Sequence, residues 1–165
     1  MVSEWADAES ASADFGDERL NRRFALIVSS FGNRPNLGIP AGCRGRTEMA
    51  ATYRFTDNGR ITFDKILAPH AQCTLRRTAE HKVVPFVRDT TEIDLTRPEQ
   101  QVAGAGGLDG SSRRGLFAHL VHAFTPDGTP LGTLSAEIIN RPEEPKGKGK
   151  TKVQKEKKRD RKSVV

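Results

Sequence analysis

Asp17-Glu18-Arg19-Leu20-Asn21-Arg22-Arg23-Phe24-Ala25-Leu26-Ile27-Val28-Ser29-Ser30-Phe31-Gly32 is the stretch on which the fold turns. Leu20, Phe24, Ile27, Val28 and Phe31 recur at i, i+4, i+7, i+8 and i+11, a single apolar stripe at helical period. Asp14 or Asp17 caps the start and Gly32 ends it, which predicts a helix over Asp17 to Phe31. Arg19, Arg22 and Arg23 fall off the stripe, and Glu18 with Arg22 is an ordinary i,i+4 pair.

Downstream, Gly32, Pro35, Gly38, Pro40, Gly42 and Gly45 make a breaker-rich loop carrying Arg34, Arg44 and Arg46. Thr47 then caps a short helix from Glu48 to about Thr56, with Met49, Tyr53 and Phe55 as apolar contacts and Asp57-Asn58-Gly59 as its stop. Thr62 opens a third helix with Phe63, Ile66 and Leu67 on one side. Pro69 kinks it or starts a second segment, and Ala71, Leu75 and Ala79 carry an apolar line to about Glu80. At His81 the pattern changes. Val83-Val84-Pro85-Phe86-Val87 reads as a buried strand, weakened by the ladder donor that Pro85 lacks. Glu92 to Arg114 reads as irregular, Leu116 to Thr125 as a central strand, Pro126-Asp127-Gly128 as a turn, and Leu131 to Asn140 as the returning strand. The expected class is α+β: a helical domain over 1–80, three strands over 81–145, and a basic, compositionally disordered tail over 146–165. Three strands with an open edge make a marginal sheet.

Charge is unevenly placed. The 165 residues carry 27 Lys and Arg against 21 Asp and Glu, a net +6. Lys146 to Val165 alone carries +8, so the rest of the chain is −2. A tail of that kind attracts polyanions through counterion release, or is simply a solvated charged segment. No apolar run approaches the roughly 20 residues that span a bilayer. Met1 to Ser12 is polar and acidic, unlike a secretory signal. Cys43 and Cys73 are too few for a disulfide framework or a zinc site. The setting expected from these features is cytoplasmic.

Asp89, following the first strand and preceding Thr90 and Thr91, suits a magnesium ligand. Two-ion phosphoryl-transfer sites need several carboxylates around ions roughly 4 Å apart, whereas an Asp before Thr is more often a turn or cap. Glu92 and Asp94 fall in loop-like sequence and read as solvated. His119 and His122, three apart on a strand, point to opposite faces and do not share a metal. With His70 and His81 they read as packed or hydrogen-bonded histidines. Gly104-Ala105-Gly106-Gly107 lacks the context of a nucleotide-binding loop.

Several short motifs, in order, resemble the N-terminal part of bacterial cut-and-paste transposases of the insertion-sequence-four family, the group that includes the transposon-five transposase. They are Trp5-Ala6, Phe15-Gly16-Asp17-Glu18-Arg19-Leu20-Asn21-Arg22-Arg23, Ala50-Ala51-Thr52-Tyr53-Arg54-Phe55 with Asp57-Asn58, and Ile66-Leu67-Ala68-Pro69-His70. Val87-Arg88-Asp89-Thr90-Thr91-Glu92, Ser112-Arg113-Arg114-Gly115-Leu116 and Thr125-Pro126-Asp127-Gly128 complete the set. The resemblance implies a helical domain that binds transposon-end double-stranded DNA, followed by the first three strands of an RNase H-like fold. Asp89 would match the first carboxylate of an Asp-Asp-Glu triad that holds Mg2+ or Mn2+ ions, in a bacterial, nucleoid-associated enzyme of DNA recombination. The family's second Asp and its Glu have no counterpart here. The chain is therefore expected to be truncated, to hold no stable two-metal site, and to be inactive alone. The candidate DNA contacts are Arg19, Arg22 and Arg23, then Arg44, Arg46 and Thr47, and Arg54. A different class is a non-catalytic DNA-binding regulator, or an inhibitor of a full-length transposase acting as its partner.

Overall fold

A computed structural model describes residues 2–97, 102–109 and 112–141. The tail expected over 146–165 lies outside them. Five helices precede a sheet: α1 (Glu4–Ser10), α2 (Glu18–Gly32), α3 (Ile39–Gly42), α4 (Arg46–Thr56), α5 (Phe63–Thr78), then β1 (Phe86–Asp94), β2 (Gly106–Gly107), β3 (Arg114–Phe124) and β4 (Pro130–Ile139). The class is α+β, as the sequence predicts. The sheet has four strands among the described residues. β1 and β2 flank β3, which also pairs with β4. The two-residue β2, antiparallel to β3 with Gly106 opposite Gly115, is too short to show as a pattern. The described residues divide into two compact units, 2–91 with Ala118–Ile138, and Glu92–Phe117 with 139–141.

In the first unit the predicted stripe of α2 builds the core. Phe24 packs with Ala13, Phe15 and Phe55, and Leu20, Ile27, Val28 and Ile61 close around them. The rings of Phe15 meet those of Phe24 and Phe55 edge-on, with centroids 5.2 and 5.4 Å apart. That is the geometry which the aromatic quadrupole favours. Asp17 caps α2 by accepting from the Arg19 backbone N–H, as predicted. α1 was not legible as a helix. It is held by tertiary contacts: the Ser3 N–H donates to Ser29 Oγ of α2 at 3.0 Å, and the Cys73 thiol of α5 donates to the Ala8 carbonyl.

Four expectations are corrected in this unit. α4 begins at Arg46, and its N-cap is Gly45, whose φ of 127° few other residues adopt, so Thr47 is not the cap. α5 runs through Pro69 as one helix, so Pro69 does not start a second segment. Its buried face is Pro69, Cys73 and Thr74, and Leu75 is exposed. The apolar line through Ala71, Leu75 and Ala79 is thus not the packed side, because polar groups on the other face find partners there. β1 starts at Phe86, after Pro85, so Pro85 removes no donor from the strand itself. The hairpin turn of Pro126-Asp127-Gly128 is formed as predicted, closed by the Thr125 N–H to the Thr129 carbonyl.

In the second unit Arg113 ties two side chains of β1, bonding Glu92 at 2.7 Å and Asp94 at 3.0 Å. Glu92 and Asp94 are strand residues with a partner, not loop residues in free solvent. The Thr96 hydroxyl and backbone N–H, with Arg113, hold the Asp94 carboxyl down to about 2. Arg141 lies over the Phe117 ring at 4.0 Å and pairs with Asp109.

Candidate nucleic-acid interface

The core packing of Phe24 on α2 against Phe55 on α4 sets these two helices side by side. Between them lies an open depression lined by Arg19, Leu20, Arg23, Ala51, Arg54, Phe55 and Asn58. Its lining includes Phe55 of the aromatic core and three arginines from two helices. A second depression shares Arg23 and continues along Leu26, Ser30, Cys43, Glu48 and Thr52.

The rim arginines are not equivalent. Arg19 is engaged locally: its Nε and Nη2 both donate to Asp17, at 3.2 and 2.9 Å. The Arg19 side chain and backbone hydrogen bonds hold the Asp17 carboxyl down to about 2, so this pair stays ionised at any ordinary pH. Arg22 pairs with Glu18 at 3.4 Å, one turn back and in solvent. Arg54, by contrast, sits exposed in the last turn of α4, and Arg23 stands half-buried where the two depressions meet.

The remaining candidates are not part of this depression. Arg44, Arg46 and Thr47 sit at the start of α4, all exposed. Arg46 is eight residues before Arg54, which is about 12 Å along a helix. Glu48 reaches back from the first turn and accepts the Arg44 backbone N–H at 2.9 Å. That carboxylate already compensates part of the positive end of α4. Asn58, read from sequence only as a stop, proves to line the depression.

Asp89 lies within β1 rather than at a strand end, and its side chain is exposed. Side chains alternate along a strand, so Glu92 and Asp94 project from the face opposite Asp89. Both are engaged by Arg113. Among the described residues no group of three or more His, Cys, Asp or Glu is placed to hold a metal ion. Asp89 by itself does not fit a two-ion site. His119 takes the Arg88 guanidinium on Nε2 and Thr90 on Nδ1, whereas His122 meets Thr133 of β4 at 3.0 Å. The two histidines serve different strands and not one ion.

Residues 2–61 match the family model for transposase DNA-binding. The matched span contains α1 to α4 and all seven candidate DNA contacts, and it ends before α5 and Asp89. The N-terminal segment is therefore similar to the DNA-binding region of transposases, and the depression between α2 and α4 lies inside that similarity. No curated protein matches the chain. Among the described residues no helix is long and apolar enough to cross a membrane.

Proposed function

We propose that this chain grips transposon-end DNA through the α2–α4 face, as the N-terminal part of a cut-and-paste transposase of the insertion-sequence-four family. The observation that carries the reading is the convergence of Arg19, Arg23 and Arg54 on one depression within the matched span. Cations brought together around an open groove suit a polyanion, and arginine adds bidentate contacts to phosphate or guanine. Arg44, Arg46 and Thr47 extend the same helix toward a second point on the duplex. On this reading β1, β3 and β4 correspond to the first three strands of an RNase H-like fold, with Asp89 in the place of its first carboxylate. Mg2+ or Mn2+ would belong to the full-length enzyme of that family.

A second reading makes the chain a DNA-binding regulator or inhibitor that occupies transposon ends or pairs with a full-length transposase. The extent of the family match supports it: the match covers DNA binding over residues 2–61 and ends before Asp89. Adding the chain to an active transposase and end DNA separates the two: more strand transfer supports complementation, less supports inhibition.

The DNA reading is tested by selecting preferred sites from a randomised duplex pool and comparing them with random duplex at two salt concentrations. Arg46→Ala and Arg54→Ala are expected to reduce the preference by about 1–3 kcal/mol for a base contact, and Arg23→Ala to weaken both duplexes and lower the salt slope by about one. Removing residues 146–165 weakens both duplexes alike if that segment adds only phosphate attraction. Failure to enrich any site, or wild-type binding by all three variants, overturns the reading.

A further inference from the structure

The best-connected polar cluster of the first unit lies away from the arginine face. Glu9 of α1 accepts two bonds: its Oε1 takes Arg77 Nη1 at 2.5 Å, and its Oε2 meets His70 Nδ1 at 2.7 Å. His70 and Arg77 are two turns apart on α5, with Thr74 between them, so all three share one helix face. That face holds β4 at two backbone groups. Arg77 Nε donates to the Leu131 carbonyl at 2.6 Å, and the Thr133 N–H donates to His70 Nε2 at 3.0 Å.

The residue between those two groups is Gly132, with φ of 139°. A Cβ there would overlap the Thr74 hydroxyl and stand 3.0 Å from both His70 Nε2 and Arg77 Nη2. The strand is thus shaped to let the helix face close on it, and glycine is the residue that fits.

The bonds determine the state of the imidazole. A backbone amide only donates, so Nε2 must present its lone pair to Thr133. A ring with a lone pair on Nε2 is neutral and carries its proton on Nδ1, where Glu9 accepts it. A proton added from solvent would go to Nε2. The ring would then point an N–H at the Thr133 N–H, and that bond would be lost. The hydrogen bond to Glu9 would become an ion pair at the same time, so the ring would stay with α1 and let go of β4.

We propose that His70 is the keystone of a proton-released clasp between the helices and the β4 strand. The charged and titratable groups around it are Glu9 from α1, Arg77 from α5, and His122 from β3, which bonds the side chain of the same Thr133 whose backbone N–H reaches His70. Arg77 keeps its hold on Leu131 in both states, because that bond involves neither ring nitrogen of His70. Release is therefore local: the Thr133 side of Gly132 opens and the Leu131 side stays closed.

The test uses the full chain and nitrogen-15 NMR. The neutral His70 ring is expected as the Nδ1–H tautomer, a reading that needs no variant. The Thr133 amide is expected to lose protection from hydrogen exchange by about tenfold, the value of one hydrogen bond, between about pH 8 and about pH 5. Protection is expressed relative to the intrinsic exchange rate, which removes the ordinary pH dependence of exchange. His70→Gln, whose carbonyl accepts without taking up a proton, is expected to flatten that profile, and His122→Gln to leave it as in the wild type. An Nε2–H tautomer overturns the proposal. So does a Thr133 profile that is flat in the wild type, or that falls equally in His70→Gln.

Discussion

α2 and β1 both carry large apolar side chains, and the two meet opposite fates. On α2 the apolar positions form one stripe, and one neighbouring surface covers it: Phe24 is 6% exposed. On β1, Phe86 is 60% exposed and Val87 47% exposed. A helix satisfies its backbone internally and needs cover on a single face. A strand has two faces, and its ladder partner β3 supplies hydrogen bonds along an edge while burying neither.

That contrast is open to direct attack. Phe24→Ala should produce the largest effect, about 3–5 kcal/mol, because it empties the centre of the cluster. Urea unfolding followed by helical circular dichroism measures it, and a loss no greater than that from a surface residue would show the cluster is not the core. Glu9→Gln comes next, at about 1–3 kcal/mol, since it leaves Arg77 and His70 short of an acceptor. Burial pushes the Glu9 carboxyl up, but hydrogen bonds from Arg77 and His70 and the charge of Arg77 outweigh it and hold the carboxyl below its ordinary value. Its contribution is present above the ordinary carboxylate value and fades as pH falls through the lower folded value. Thermal unfolding across that acid range should therefore fall less steeply in Glu9→Gln than in the wild type. Asp17→Asn should be milder still. An amide caps a helix nearly as well but gives up the Arg19 pair, so the change should appear mainly as weaker salt dependence of the melting temperature. Phe86→Ala should be smallest, within about 0.5 kcal/mol, the range of an uncovered surface site. A loss comparable with that of Phe24→Ala would mean that β1 is buried in solution.

The same contrast explains what the sequence disclosed. α2 was legible because stripe and cap agree, and the β3–β4 hairpin because Pro126-Asp127-Gly128 separates two apolar runs. α1 was hidden: at seven residues it is too short to show a period, and contacts with α2 and α5 hold it. β1 was ended too early because Glu92 and Asp94 read as loop, while the strand runs on to Asp94. At the candidate site the arginines were visible as charge. Which of them converge was not, since that depends on Phe24 and Phe55 bringing α2 and α4 together. The neighbours that engage Arg19 and Arg22 were within reach, because Asp17 and Glu18 stand two and four residues before them.

Trp5 is the chain's single tryptophan, and it lies against Gly32, where a Cβ would overlap the indole. The intrinsic emission of this protein thus comes from one known place, the seating of the first helix on the end of the second. A change in that emission on titration with denaturant would time the departure of α1 from that seat without any added dye, separately from the melting of the phenylalanine cluster.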